Sequence, residues 1–208
     1  IARGAAAELG YIYVATGPLY RSIGWYVASR GLDTANAAQV IPCLEEIRVE
    51  LKFIDGMQRV FVNGQDVSDE IRLPQMGMHA SNVSAIPAVR TFLFQLQRDL
   101  AASHNVVMDG RDIGTVVLPE ADVKLFLTAT PEDRARRRYE EHLQRGQTVN
   151  YEDILQEVKQ RDEQDTHRAI APLRRAPDAI LLDTTGNELE QSVRLVIDTI
   201  RTHLNESE

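Results

Sequence analysis

The sequence has very little cysteine, few lysines and no long apolar run. Cys43 is the only cysteine among 208 residues, which excludes an internal disulfide framework and a zinc cage built from cysteines. No apolar run approaches the roughly 18 residues of a membrane-spanning helix, and no basic and apolar stretch resembles a signal peptide. These absences favour a reducing compartment, and we expect a cytoplasmic location without a membrane partner.

Positive charge comes almost entirely from arginine. Of 23 Lys and Arg residues only Lys52, Lys124 and Lys159 are lysine, and the net charge of −8 argues against a broad nucleic-acid-binding surface. Arginine's rigid fork suits bidentate contact with phosphate and carboxylate groups. A genome-wide codon bias would produce the same ratio, so position must decide which arginines matter.

Hydrophobic patterning predicts an α/β fold. A helix over 1–10 ending at Gly10, a strand over 11–16 and a helix beginning near Pro18 follow one another. The apolar runs at 105–110 and 123–129 are typical of buried parallel strands, 179–184 is a last strand, and 87–101 is an amphipathic helix.

Two segments depart from this pattern. Residues 47–53 alternate apolar and charged side chains, and the turn signal Asp55-Gly56 leads into "RVFVNG", which predicts a small antiparallel sheet inserted into the α/β core. Residues 131–146 and 151–168 predict two highly charged helices joined by a turn at Gly146.

The stretch "MDGRDIGTVV" places polar residues at the end of an apolar strand. In open α/β sheets ligands bind beyond the carboxyl ends of strands. Asp109 then stands where a magnesium-linked acid is often found, Arg111 could clamp a phosphate, and Asp112 could accept hydrogen bonds from a base or sugar. The alternative is a surface ion pair of Arg111 with Asp109 or Asp112, worth about 0–1 kcal/mol.

Two further stretches offer arginines. In "ATGPLYR", Thr16 and Gly17 can cap a helix whose N-terminus attracts anions, with Tyr20 and Arg21 one turn further; an ordinary cap with a solvated Arg21 is the alternative. Arg161, Asp165 and Arg168 have the i, i+4, i+7 spacing of one helical face, although a solvated salt-bridge ladder has the same spacing. Arginines meeting at one cleft predict a polyphosphate ligand.

Taken together, the chain resembles the bacterial cytidylate kinases, members of the nucleoside monophosphate kinase group of P-loop proteins. The matching segments are "TGPLYR", "VNGQDVSDEIR", "HASNVSAIPAVR", "DGRDIGTVVLPEADVKLFL", "RDEQDTHRAIAPL" and "LLDTT", which follow the family's order over essentially the whole chain. The resemblance implies a parallel-sheet core (1–34, 73–130 and 169–208), a nucleoside-monophosphate-binding β insert (35–72), and a helical lid with the helix that follows it (131–168). It also implies a monomer that transfers phosphate from ATP to CMP or dCMP in pyrimidine metabolism.

The resemblance further implies an acceptor pocket lined by Thr16, Tyr20, Arg21, Ser81, Arg90, Arg111, Asp112, Arg161, Asp165 and Arg168. Within it, the implied phosphate ligands are Arg21, Arg111 and Arg168. The cytosine would be recognised by Ser81, Arg90 and Asp112, and the sugar by Arg161 and Asp165.

On the donor side, the resemblance implies that Arg137 of the lid reaches the phosphates of ATP and that Asp109 helps to hold Mg²⁺ through water. Arg111, Arg137 and Arg168 are the implied catalytic residues.

The sequence departs from the family at three places. Ala15 replaces an aspartate, Pro18 replaces a small residue, and no G-x-x-x-x-G-K-[ST] stretch occurs in the 208 residues. In the family that stretch precedes the helix that "IARGAAAELG" resembles, so we expect this chain to lack the first core strand and the P-loop. The alternative function is an N-terminally truncated, inactive remnant that at most binds the nucleoside monophosphate.

Overall fold

The computed structural model describes residues 1–205 and has the predicted mixed α/β architecture. The helices are α1 (Ala2–Leu9), α2 (Gly17–Ser29), α3 (Ala37–Cys43), α4 (Met76–Ser84), α5 (Pro87–Ser103), α6 (Pro131–Gln144), α7 (Tyr151–His167) and α8 (Leu189–Asn205). The strands are β1 (Ile12–Ala15), β2 (Val49–Ile54), β3 (Met57–Val62), β4 (Gln65–Asp66), β5 (Val106–Asp109), β6 (Leu125–Thr128) and β7 (Ile180–Asp183).

The core strands pair in parallel, as predicted. Ala15 lies opposite Asp109 in the β1–β5 pair, and Thr128 lies opposite Asp183 in the β6–β7 pair. Within residues 1–205 these are two separate two-stranded sheets. The expectation of a buried strand over 123–129 is wrong in part, because Leu127 of β6 is 40% exposed.

The predicted antiparallel insert is present. Strands β2, β3 and β4 form a meander whose tight turns place Asp55 and Asn63 in the left-handed region, each followed by a glycine. The two-residue strand β4 has no strand signal of its own in the sequence. The inner face of the insert, including Val60 and Val62, packs in one core with α2, α4 and α5.

The two charged helices α6 and α7 pack against each other around Ala135, Ile154 and Val158. A cleft of about 1400 Å³ is lined by the ends of β1, β5 and β6 and by residues of α6 and α7. None of the helices within residues 1–205 is both long enough and apolar enough to span a membrane.

Candidate functional site

The ends of β1 and β5 are joined at the floor of the cleft. The Thr16 backbone N–H donates to the Asp109 carbonyl at 3.2 Å, and the Thr16 hydroxyl donates to the same oxygen at 2.8 Å. Gly110 is required here, because a Cβ at that position would lie 2.5 Å from the Thr16 hydroxyl oxygen. The two loops that follow these strands therefore approach each other closely.

Asp165 is the carboxylate on which the arginines of the cleft converge. Its side chain is only 4% exposed, and it accepts from Arg111 Nε at 3.0 Å. Arg168 NH1 lies at 3.5 Å and Arg161 Nε at 3.8 Å. The Ser81 hydroxyl donates to it at 3.5 Å. The structure thus brings five of the predicted acceptor-pocket residues together.

Positive charge exceeds negative charge around Asp165. The Nε of Arg161 and the NH2 of Arg168 are buried and have no hydrogen-bond partner. Burial, with repulsion from Arg111, lowers the pKa of Arg161 to about 10, and burial, with repulsion from Arg90, lowers the pKa of Arg168. Both remain charged at neutral pH. Buried guanidinium groups without enough acceptors form a site for an anion.

A second buried ion pair, Arg90 with Asp112, lies beside this cluster. The two side chains are 10% and 6% exposed, and Arg90 NH1 also donates to the Ser84 carbonyl at 2.9 Å. The Arg90 guanidinium lies over the Tyr20 ring, 5.3 Å from its centroid. This arrangement holds a forked hydrogen-bond donor beside a carboxylate acceptor. Such a pair can distinguish bases by the donors and acceptors on their edges.

Sequence reasoning missed two residues that contact or belong to this arginine cluster. The Ser84 hydroxyl accepts from Arg168 NH1 at 3.1 Å, so Ser84 links the Arg90 and Arg168 groups. Its position one helical turn after Ser81 was an available signal. Repulsion from Arg138 contributes to the lowered pKa of Arg21 and of Arg161, although burial is the largest cause in both. Arg138 thus belongs to the same charge cluster, and nothing distinguished it within "RARRR".

Arg21 is held at the edge of the cluster. Its NH1 donates to the Ile71 carbonyl at 3.2 Å, in the short 3₁₀ helix Glu70–Arg72 of the insert. The insert and the helix α2 are therefore joined at the edge of the arginine cluster.

Asp109 is the single residue that the sequence predicts to bind a metal. Its carboxylate accepts from the Tyr13 hydroxyl at 2.7 Å, and burial raises its pKa. Residues 1–205 contain no group of three or more His, Cys, Asp or Glu side chains arranged to hold a metal. One carboxylate fits Mg²⁺, which is commonly bound by one or two carboxylates, water and substrate phosphates.

Arg137 does not join the arginines around Asp165. Its NH2 donates to the Thr184 carbonyl, at the end of β7, and forms an ion pair with Asp133 at 2.6 Å. The side chain still lines the same cleft. Its contact with ATP phosphates stays a prediction.

Ala171 adopts a backbone conformation that fixes Arg168. With φ of 46°, it lies in the left-handed region, and its carbonyl accepts from Arg168 Nε at 2.7 Å. Such a conformation costs an L-residue about 1–2 kcal/mol. The strain is located directly beside the arginine cluster.

Replacing Ala171 by glycine is expected to stabilise the protein by about 0.5–1 kcal/mol, because relief of strain exceeds the chain entropy that glycine adds. Ala171→Val should destabilise it, since a β-branched residue tolerates positive φ poorly. Urea unfolding of the three proteins measures both changes. A glycine variant less stable than the wild type would contradict this account of the strain.

Comparison with known proteins gives one consistent result. The chain matches the cytidylate kinase family over residues 1–202. It is 43% identical over 198 residues to a cytidylate kinase of Caldicellulosiruptor bescii, covering 95% of this chain and 88% of that protein. For a cytidylate kinase of Carboxydothermus hydrogenoformans the identity is 44% over 200 residues, covering 96% and 90%. For one of Leuconostoc mesenteroides it is 40% over 205 residues, covering 99% and 92%.

Proposed function

Because the chain belongs to the cytidylate kinase family, we propose that it transfers the γ-phosphoryl group of ATP to CMP or dCMP, giving CDP or dCDP. The structural observation that carries the proposal is the group of arginines around Asp165. Buried N–H groups of Arg161 and Arg168 lack partners there, which favours a ligand bearing phosphate.

In this proposal each part of the pocket has one task. Arg21, Arg111 and Arg168 bind the acceptor phosphate, and Arg161 with Asp165 holds the sugar. Ser81 and the Arg90–Asp112 pair recognise cytosine. Arg90 can donate to the base carbonyl, while Asp112 can accept from the exocyclic amino group. Uracil offers a carbonyl in place of that amino group, so an ionised Asp112 discriminates against it.

Phosphoryl transfer here requires positioning and charge neutralisation rather than a strong general base. The nucleophile is an oxygen of the acceptor phosphate, which is already ionised at neutral pH. Arg111 and Arg168 offset charge as the γ-phosphoryl group moves, and Arg137 approaches the donor phosphates as the lid closes and excludes water. Asp109 would help to hold Mg²⁺, which would supply further positive charge when bound.

A coupled assay of ADP release with CMP, dCMP, UMP and AMP tests this function. We expect kcat/KM for CMP and dCMP to exceed that for UMP and AMP by at least about tenfold, because the latter two leave buried polar groups unpaired. Preference for AMP would contradict the assignment of the base-recognising residues.

The insert and the helices α6 and α7 are proposed to be the parts that close over the nucleotides. We further propose a cytoplasmic monomer that acts on small molecules. The negative net charge and the single, buried cysteine support this proposal.

A further inference from the structure

We propose that Gln58, on β3 of the insert, is a positioning residue for the acceptor site, because its side chain holds the end of β1 as a neighbouring strand would. This inference rests on the proposed binding of CMP. The Gln58 Nε2 donates to the Ala15 carbonyl at 2.9 Å, and the Ala15 N–H donates to Gln58 Oε1, also at 2.9 Å.

The contact provides hydrogen-bond partners for the Ala15 backbone at the outer edge of β1. Along β1 the N–H groups of Ile12 and Thr16 point to β5, where they donate to the carbonyls of Asn105 and Asp109. Ala15 therefore presents its N–H and carbonyl on the opposite edge. One amide side chain satisfies both groups, and this pairing also fixes which end of the Gln58 amide is oxygen.

Ala15 directly precedes the residues proposed to bind the acceptor. Thr16 follows it, and α2 then carries Tyr20 and Arg21 into the cleft. The insert is attached to this segment a second time, through the hydrogen bond from Arg21 to the Ile71 carbonyl. Gln58 and Ile71 thus hold the beginning of α2 from the insert side, while the other phosphate-binding arginines belong to different segments.

Losing the Gln58 contact is therefore expected to let the segment Ala15–Arg21 move relative to Arg111 and Arg168. The phosphate would be affected more than the base, since Arg90 and Asp112 are held by their own ion pair and by the Ser84 carbonyl, and only the Tyr20 ring joins Arg90 to this segment. CMP and cytidine differ only by the phosphate. Comparison of their affinities therefore separates positioning of the phosphate site from a general loss of structure.

The test measures binding of CMP by calorimetry and of cytidine by NMR titration to the full-length protein and its variants. Gln58→Met retains the length of the side chain but has no amide, and we expect about tenfold weaker CMP binding with a much smaller loss of cytidine binding. Gln58→Asn, whose side chain is too short to reach both groups, should lose a similar amount of CMP affinity. It keeps the test valid if Gln58→Met misfolds. The matched control is Gln65→Met on the exposed strand β4, which should change neither affinity.

Hydrogen exchange of the Ala15 amide, measured without nucleotide, is an independent test of the Gln58 contact. Exchange should accelerate in Gln58→Met and remain unchanged in Gln65→Met. Unaltered Ala15 exchange, unaltered CMP affinity, or an equal loss of cytidine affinity would each overturn the inference. Failure of the wild-type protein to bind CMP would instead overturn the proposed function, while the exchange measurement still decides whether Gln58 holds Ala15.

Discussion

Replacing Arg168 by methionine is expected to weaken CMP binding by about a hundredfold, which corresponds to about 2.7 kcal/mol. Arg168 is almost completely buried, and its NH2 group has no partner within the protein. A charge-assisted hydrogen bond from such a group to a phosphate oxygen is strong, because the guanidinium is buried and its fork is already oriented by Ala171 and Ser84.

Calorimetric titration with CMP measures this loss. Arg168→Lys should bind about tenfold more weakly than the wild type, because it retains the charge but not the fork. Arg194→Met, an exposed arginine on α8, is the matched control and should bind normally. If Arg168→Met binds CMP within about threefold of the wild type, Arg168 does not contact the phosphate.

The second large effect is expected at the Arg90–Asp112 pair. Asp112→Ala leaves Arg90 buried beside Tyr20 without its carboxylate, and removing one partner of a buried pair typically costs about 3–5 kcal/mol of unfolding free energy. Denaturant unfolding measures this loss. The same variant should lose its preference for CMP over UMP.

A double variant separates stability from recognition at this pair. Arg90→Met combined with Asp112→Leu removes both charges, so much of the lost stability should return while the preference for CMP over UMP stays lost. The outcome that contradicts this account is a double variant less stable than Asp112→Ala, which would mean that the single variant's loss does not come from an uncompensated charge.

Local signals predicted most of the elements. Gly10 ends α1, Pro18 lies in the first turn of α2, and the turn residues of the insert adopt the left-handed region, each at the position that its backbone preference predicts. The burial of β6 was predicted wrongly for a physical reason. An apolar run shows that a strand has apolar neighbours on some side, but Leu127 is 40% exposed and lines the cleft.

The arginine cluster was only partly predictable. Arg161, Asp165 and Arg168 were expected on one helical face, but α7 ends at His167, and Arg168 has an extended backbone. Its side chain reaches Asp165 nonetheless. Arg111 approaches Asp165 across 54 residues of sequence, and Gln58 approaches Ala15 across 43. Neither contact follows from the local spacing of residues, because each depends on how separate helices and strands pack together.

The excess of guanidinium groups around Asp165 has a thermodynamic consequence for the whole fold. An anion that binds this cluster in the native state, and not in the unfolded chain, shifts the folding equilibrium by mass action. At a concentration one hundred times its dissociation constant, such an anion adds about 2.7 kcal/mol to the unfolding free energy. The stability of this protein is therefore a property of the chain together with the phosphate and nucleotide that surround it.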